Sequence, residues 1–217
     1  MKLQHGILFD MDGTLIESED IWQRTEIEVA RELGVHWTLE DSLQFVGSSM
    51  MLWANEMISR GAKLAPDELG ALVSRRVAEE VAADIPWLPG AQQLLSDIAA
   101  AGIPAAIVTN AAPWNVQPVL DAAPKGALQF AVSAYELENA KPHPEPYLVG
   151  AQRLGIEAAG SIAMEDSLTG AASVTAAGIP LWFVETHSPA PETAERSFAD
   201  LSAVSVDDLL SRLGRIS

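Results

Sequence analysis

Cysteine is absent from this chain, which excludes a disulfide framework, a thiolate nucleophile and a thiolate zinc site, and is compatible with a reducing compartment. Positive charge is scarce: 13 lysines and arginines stand against 30 aspartates and glutamates, for a formal charge of −17. Such a chain repels nucleic-acid phosphate and anionic membrane surfaces unless a local basic patch intervenes. The adjacent pair Arg75-Arg76 is no such patch, because it lies in a helical stretch beside Glu79 and Glu80 and reads as a solvated face. No apolar run reaches about 18 residues, and Met1-Lys2-Leu3-Gln4-His5 leads straight into a strand. Neither a signal peptide nor a spanning helix is expected, and the expected location is cytoplasmic. His5, His36, His143 and His187 show no metal-ligand spacing. There is no internal repeat and no low-complexity linker.

What is present suits a sizeable core: 217 residues, 48% of them hydrophobic, enough for one large domain or for a core with a smaller domain inserted. Strand-like runs recur at Gly6-Asp10, Pro104-Thr109, Phe130-Ser133, Ser161-Met164 and Pro180-Val184, separated by helical patterns. That alternation predicts an α/β fold, a Rossmann-like parallel-sheet core with helices on both faces. Helices are expected from Pro89-Gly90 to Gly102, from Pro144 to Gly155 and from Ser167 to Gly178, each closing on glycine. Pro118, inside the apparent helix from Asn115 to Ala122, has no sequence-level explanation. Between the first two strands no strand-like run occurs. Trp22, Val29 and Leu33 line one helical face, and Leu69, Leu72, Val73, Val77 and Val81 line another after Pro66-Asp67-Glu68. The expected division is a core of residues 1–16 and 87–217 with an α-helical cap domain, 17–86, inserted where open α/β sheets bind ligands. Such an insert either gates the site or merely packs.

Phe9-Asp10-Met11-Asp12-Gly13-Thr14 closes the first strand. Two carboxylates at i and i+2 followed by glycine place one acid where the strand ends and the other in the loop above it, a layout for a nucleophile and an acid/base at one phosphorus. The bland alternative is a surface turn. In a parallel sheet all strand C-termini share one edge, so Thr109-Asn110 and Glu165-Asp166-Ser167 are expected beside Asp10 and Asp12. Singly, Thr109 is as readily a turn residue, and Glu165-Asp166 a helix cap. Lys141 precedes Pro142-His143-Pro144-Glu145-Pro146-Tyr147, a proline-stiffened helix entry that would hold an ammonium beside the carboxylates.

Together Asp10 to Thr14, Thr109-Asn110, Lys141-Pro142, and Glu165-Asp166-Ser167 with Gly170 and Ala177-Gly178 resemble the four ordered motifs of the haloacid dehalogenase-like (HAD) hydrolase superfamily. The helical insert resembles that of its small-capped branch. Within the branch, Asp10 to Glu19 with nearby Trp22 is most similar to sugar-phosphate phosphatases and the related β-phosphoglucomutases. The resemblance implies a phosphomonoester hydrolase in which Asp10 is the nucleophile, forming an aspartyl-phosphate, and Asp12 is acid then base. It implies that Thr109, Asn110 and the backbone N–H groups of residues 11 and 12 hold phosphate oxygens, and that Lys141 offsets charge on Asp10 and substrate. Mg2+ is the implied cofactor, its metal ligands Asp10, the main-chain carbonyl of Asp12, and Asp166, with Glu165 behind them.

A phosphomutase would use the same core but pass the phosphoryl group to a second hydroxyl of a bound sugar. The mutases carry an arginine soon after a cap glycine, whereas Gly47 here precedes Ser48-Ser49-Met50-Met51, and Thr14 matches the phosphatase motif better. A dehalogenase needs neither magnesium nor Asp12. A phosphoacceptor switch like bacterial receiver domains is smaller and carries its acceptor after the third strand, where this chain has Ala134-Tyr135. A pseudoenzyme retaining the fold is disfavoured because every charged group of the site is present. Ser48, Ser49, Trp22 and Trp53 are sugar-contact candidates that remain unassigned, since aromatics at helical spacing are more often core. The expected partner is a small phosphorylated metabolite, hydroxyl-rich and without a second anionic group, such as a hexose or deoxyhexose 6-phosphate; oligomeric state is not readable.

Overall fold

The computed structural model describes residues 5–45 and 50–214 and resolves into two compact units, Met1–Glu17 with Pro86–Ser217, and Ser18–Ile85. Gly47, Ser48 and Ser49, which bear on the mutase alternative, lie outside the described residues.

The inserted unit is helical: α1 (Glu19–Glu32), α2 (Leu39–Leu43), α3 (Met50–Ser59) and α4 (Pro66–Ala83). Pro66 opens α4, whose Leu69, Val73, Val77 and Val81 are buried at i, i+4 spacing. Both α1 and α3 pack on that helix. A reciprocal cap starts α2, with the Asp41 amide donating to Thr38 Oγ1 (3.2 Å) and the Thr38 amide to the Asp41 carboxylate (2.8 Å). Trp53 is 1% exposed and meets Trp37 edge-on at 6.1 Å between ring centroids, so it belongs to the core of this unit. The buried side of α1 is less apolar than its spacing predicts, since Gln23, Thr25 and Glu26 are buried with Val29.

The other unit carries a six-stranded, wholly parallel sheet. Its strands are β1 (Ile7–Phe9), β2 (Ala105–Thr109), β3 (Ala131–Ser133), β4 (Ile162–Glu165), β5 (Leu181–Val184) and β6 (Ala194–Phe198), ordered β3-β2-β1-β4-β5-β6. The first five fall in the predicted apolar runs, except that β4 continues one residue past its run, to Glu165. The sixth, Ala194-Glu195-Arg196-Ser197-Phe198, was not foreseen because it is an edge strand with exposed central residues and therefore needs no apolar run. It is anchored by Arg196, whose guanidinium lies 4.8 Å from the Trp182 ring centroid.

The remaining helices are α5 (Ala91–Ala101), α6 (Pro113–Ala122), α7 (Glu145–Leu154), α8 (Leu168–Ala176) and α9 (Val206–Arg212). Pro118 does lie inside α6. Alternation along β1 and β2 turns Leu8, Ala106 and Val108 into one apolar layer with Tyr147 and Ala151 of α7 and Ala171 and Val174 of α8. With β1 central, Phe9 is in register with Ile107 of β2 and Met164 of β4. The residues just beyond these positions therefore emerge on one sheet edge.

Candidate active site

Asp10 is the first residue past β1, and its amide still donates to Met164 O on β4 (2.9 Å), which fixes where the side chain leaves the sheet. The next residues coil tightly: the amides of Leu15 (2.8 Å) and Ile16 (3.1 Å) donate to Met11 O, and that of Gly13 to Ile16 O (2.8 Å). Gly13 has φ +81°, and a Cβ there would lie 2.1 Å from Asp166 Oδ2. Only glycine satisfies both the turn and the close approach of that carboxylate. Thr14 Oγ1 donates to Asp166 Oδ1 at 3.2 Å, tying this loop to the end of β4. Asp12 is half-buried between these contacts and forms a bridge with Ile16.

Lys141 arrives from the loop before α7, through a cis Lys141–Pro142 peptide. Its buried ammonium donates to Asp10 Oδ1 (2.5 Å) and Glu165 Oε1 (2.7 Å). The loop is held at its base by Asn110, whose Oδ1 accepts from the Lys141 amide (3.1 Å) and whose Nδ2 donates to the Lys141 carbonyl (3.4 Å). Ser173 Oγ of α8 donates to His143 O (2.6 Å) further along. Thr109 is buried at the end of β2, and its hydroxyl accepts from the Ala111 amide at 3.0 Å.

Glu165 is fully buried and saturated with donors. Oε1 accepts from Lys141 and from Tyr147 Oη (2.8 Å), and Oε2 from the Asp166 amide (3.2 Å), the Ser167 amide (3.3 Å) and Ser167 Oγ (3.0 Å). A Cβ at Gly170 would sit 1.7 Å from Oε1, so the first turn of α8 must carry glycine to admit this carboxylate.

One ammonium thus faces the three carboxylates of Asp10, Glu165 and Asp166, whose nearest oxygens lie within 4.8 Å of one another. Burial, then the Glu165 charge, lift Asp10 to about 7 against the pull of Lys141. Burial, then Asp10 and Glu165, lift Asp166 to about 9. Burial alone would lower the Lys141 ammonium, but the charges of Asp10 and Glu165 outweigh it and hold the group above its ordinary value. Excess negative charge on an all-oxygen donor set fits a hard divalent cation. Because Glu165 already accepts from five donors, Asp10 and Asp166 are the carboxylates better placed to hold one.

The family model described as haloacid dehalogenase-like hydrolase matches residues 7–184. The chain belongs to this family. It is an enzyme of the hydrolase class, 32% identical over 196 residues to hexitol phosphatase A of Escherichia coli, covering 88% of this chain and 87% of that one. It is likewise 32% identical over 188 residues to protein CbbY of Rhodobacter capsulatus, covering 80% and 82%. Among solved structures, a CbbY mutant from Rhodobacter sphaeroides in complex with xylulose-(1,5)bisphosphate superposes with a TM-score of 0.81 over 95% of this chain and 99% of that one, at 22% identity. That likeness concerns the fold alone.

In this HAD-like hydrolase the sheet edge brings Asp10, Lys141, Glu165 and Asp166 into direct contact range, and Asp12 is near enough to contribute to the lift on Asp10. Asn110 is placed on the main chain of Lys141. Sequence reasoning missed Tyr147, whose buried hydroxyl braces Glu165 beneath the Lys141 ammonium, 5.0 Å from its ring centroid. A tyrosine on the core face of the helix that follows the lysine was the available signal. Thr186, which donates to Gly13 O at 2.7 Å, gave no signal. Among the described residues no helix is long and apolar enough to cross a membrane.

Proposed function

We propose that this hydrolase is a magnesium-dependent phosphatase of small, hydroxyl-rich phosphomonoesters, working through an aspartyl-phosphate in a reducing cytoplasm. The single observation that carries the reading is the buried Lys141 ammonium at 2.5 Å from Asp10 Oδ1, with an Asp166 carboxylate oxygen within 4.8 Å of one of Asp10. An ammonium in that position pulls the Asp10 carboxyl toward its ionised, nucleophilic form against burial and the Glu165 charge, and aims it. Asp10 attacks phosphorus in line, the ester P–O bond breaks, and Asp12 gives its proton to the departing alkoxide. A water molecule then loses a proton to Asp12 and attacks the same phosphorus, releasing inorganic phosphate and restoring both aspartates. The sum is ester plus water giving alcohol plus phosphate.

Asp10, the main-chain carbonyl of Asp12 and Asp166 would hold the magnesium ion, which supplies positive charge to the phosphoryl oxygens when bound. Glu165, with its five donors, orients Lys141 and the Asp166 peptide. Thr109, Asn110 and the backbone N–H groups of residues 11 and 12 hold the non-bridging oxygens. The helical insert serves as the cap that selects substrate. Three of its cations, Arg24, Arg60 and Arg76, are paired with carboxylates. A relative named hexitol phosphatase at 32% identity supports the same class.

The test is phosphate release from a metabolite panel with magnesium and with chelator. Magnesium-dependent, multiple-turnover release favouring hexose or hexitol monophosphates is expected. A preference of more than about tenfold for a bisphosphate or a carboxylated phosphate, enough to equal about 1.4 kcal/mol, overturns the substrate assignment. Transfer to a second sugar hydroxyl without release of phosphate replaces the hydrolase reading by the mutase one.

A further inference from the structure

We infer that Thr186 is a positioning residue for Asp12, acting through the Gly13 carbonyl. Thr186 follows β5 and lies outside every motif that marks the site, yet its Oγ1 donates to Gly13 O at 2.7 Å across 173 positions of sequence. Next to it, His187 Nε2 lies 3.1 Å from Glu17 Oε2, so the loop after β5 holds the segment 13–17 at both ends.

The physical reason lies in the freedom of glycine. Gly13 stands between Asp12, the acid/base of the proposed reaction, and Thr14, whose hydroxyl holds Asp166. At φ +81° it occupies a region from which glycine escapes more easily than any other residue. Its amide is fixed by Ile16 O at 2.8 Å, which sets the peptide plane shared with Asp12. The next plane, from Gly13 C=O to the Thr14 amide, rests on Met11 O at 3.3 Å on its N–H side and on Thr186 on its carbonyl side. With the Thr186 bond present, Gly13 ψ has one value, and Asp12 and Asp166 keep a fixed mutual placement. Without it, the most permissive residue of the loop becomes a joint between the two carboxyl groups. Thr186 touches neither substrate nor cation in this account, so its effect falls on the steps that need Asp12 placed accurately.

The inference rests on the phosphatase reading for the role of Asp12, and the test separates the two. Thr186→Val keeps the shape and removes the donor, while Thr186→Ser keeps the donor. p-Nitrophenyl phosphate has a leaving group that departs without a proton, so the first step proceeds in the valine variant and the Asp12-assisted hydrolysis of the aspartyl-phosphate lags. A burst of p-nitrophenol equal to the enzyme concentration is expected, followed by turnover about tenfold slower, a fraction of what a general base contributes, with KM not raised. Serine should restore the steady-state rate to within about twofold, as expected of a hydroxyl that keeps its hydrogen bond. Amide exchange at Gly13 and Thr14 should be about tenfold faster in the valine variant than in wild type or the serine variant, the scale for losing one net hydrogen bond, with the Leu8 amide unmoved. Equal losses in both variants, a slower rate with no burst, or unchanged exchange at Gly13 and Thr14 overturns the inference. Wild-type protein that releases no phosphate overturns the phosphatase reading instead, and exchange at Gly13 and Thr14 still decides whether Thr186 holds the joint.

Discussion

Two regions of this molecule bury carboxyl groups, and they handle them oppositely. At the sheet edge, Asp10 and Glu165 share the Lys141 ammonium, and Glu165 accepts from four further donors. In the helical insert, Glu26 is 8% exposed, and among the described residues its Oε2 has no hydrogen-bond partner and the nearby Trp53 Nε1 is buried without one as well. Burial lifts Glu26 to about 7, opposed first by the Ser42 hydroxyl and reinforced by the Glu19 charge. The sheet edge therefore has a built counter-charge that pulls Asp10 down against its burial, and an excess of negative charge that lifts Asp10 and Asp166 and that a bound cation would relieve. In the insert only neutral groups among the described residues oppose the burial of the carboxyl, and no ammonium or guanidinium pulls it down.

The largest expected effect removes the reacting carboxylate while leaving its surroundings in place. Asp10→Asn should lower kcat for phosphate release by on the order of 10⁴-fold or more, the scale seen when a covalent nucleophile is lost, with circular dichroism unchanged. Wild-type turnover in that variant would leave the sheet edge no more catalytic than the insert. Next is the counter-charge itself. Lys141→Met strands two buried carboxylates and should destabilise the metal-free protein by about 3–5 kcal/mol, more at pH 8 than at pH 6, because protonation of Asp10 relieves the repulsion. Added magnesium should return part of that loss in thermal denaturation. Equal melting curves for wild type and variant would mean that the ammonium does not compensate the cluster.

Much of this contrast could be read from the sequence, and its limits are physical. The four strands around Asp10 are apolar runs because both faces of a parallel sheet are covered, and parallel topology alone predicts that residues 10, 109 and 166 meet at one edge. β6 escaped notice because an edge strand carries no such run. Lys141 was legible through its prolines, whereas Thr186 was not, since a threonine after a strand has many equivalent uses. Glu26 falls on the face marked by Trp22, Val29 and Leu33, so periodicity pointed it inward while its charge argued outward. Neither cue discloses whether a buried carboxyl finds a cation.

Glu26→Gln sharpens the contrast in the opposite direction from Lys141→Met. A carboxyl raised from 4.5 to about 7 on folding favours the native state fully below pH 4.5, and that stability is lost as pH climbs through 7. The span corresponds to roughly 3 kcal/mol at most. Urea denaturation at several pH values should show wild type weakening between about pH 5 and 7.5 for this group, and the glutamine variant lacking that component. At pH 8 the variant should be the more stable by about 1–3 kcal/mol, the lower part of the range reflecting its own unpaired amide. Wild type and variant curves that stay parallel across this range would show Glu26 to be compensated after all, as its counterparts at the sheet edge are.

The smallest effect concerns the orphan donor beside that carboxyl. Trp53 is buried in the insert against Trp37, whose own Nε1 donates to Ser42 Oγ at 2.9 Å. Replacing a buried tryptophan by phenylalanine sacrifices packing, but at position 53 it also removes an N–H that has lost water without gaining an acceptor, a burden of about 1–3 kcal/mol. The two terms oppose, so Trp53→Phe should change stability by no more than about 1 kcal/mol. Trp37→Phe loses comparable packing and a satisfied bond as well, and should cost clearly more by the same denaturation assay. Equal costs at positions 37 and 53 would mean that Trp53 Nε1 has an acceptor in solution, with Glu26, whose carboxyl a Trp53 hydrogen bond would lower, as the candidate, and the insert would then compensate its buried carboxyl through a neutral donor where the sheet edge uses a charged one.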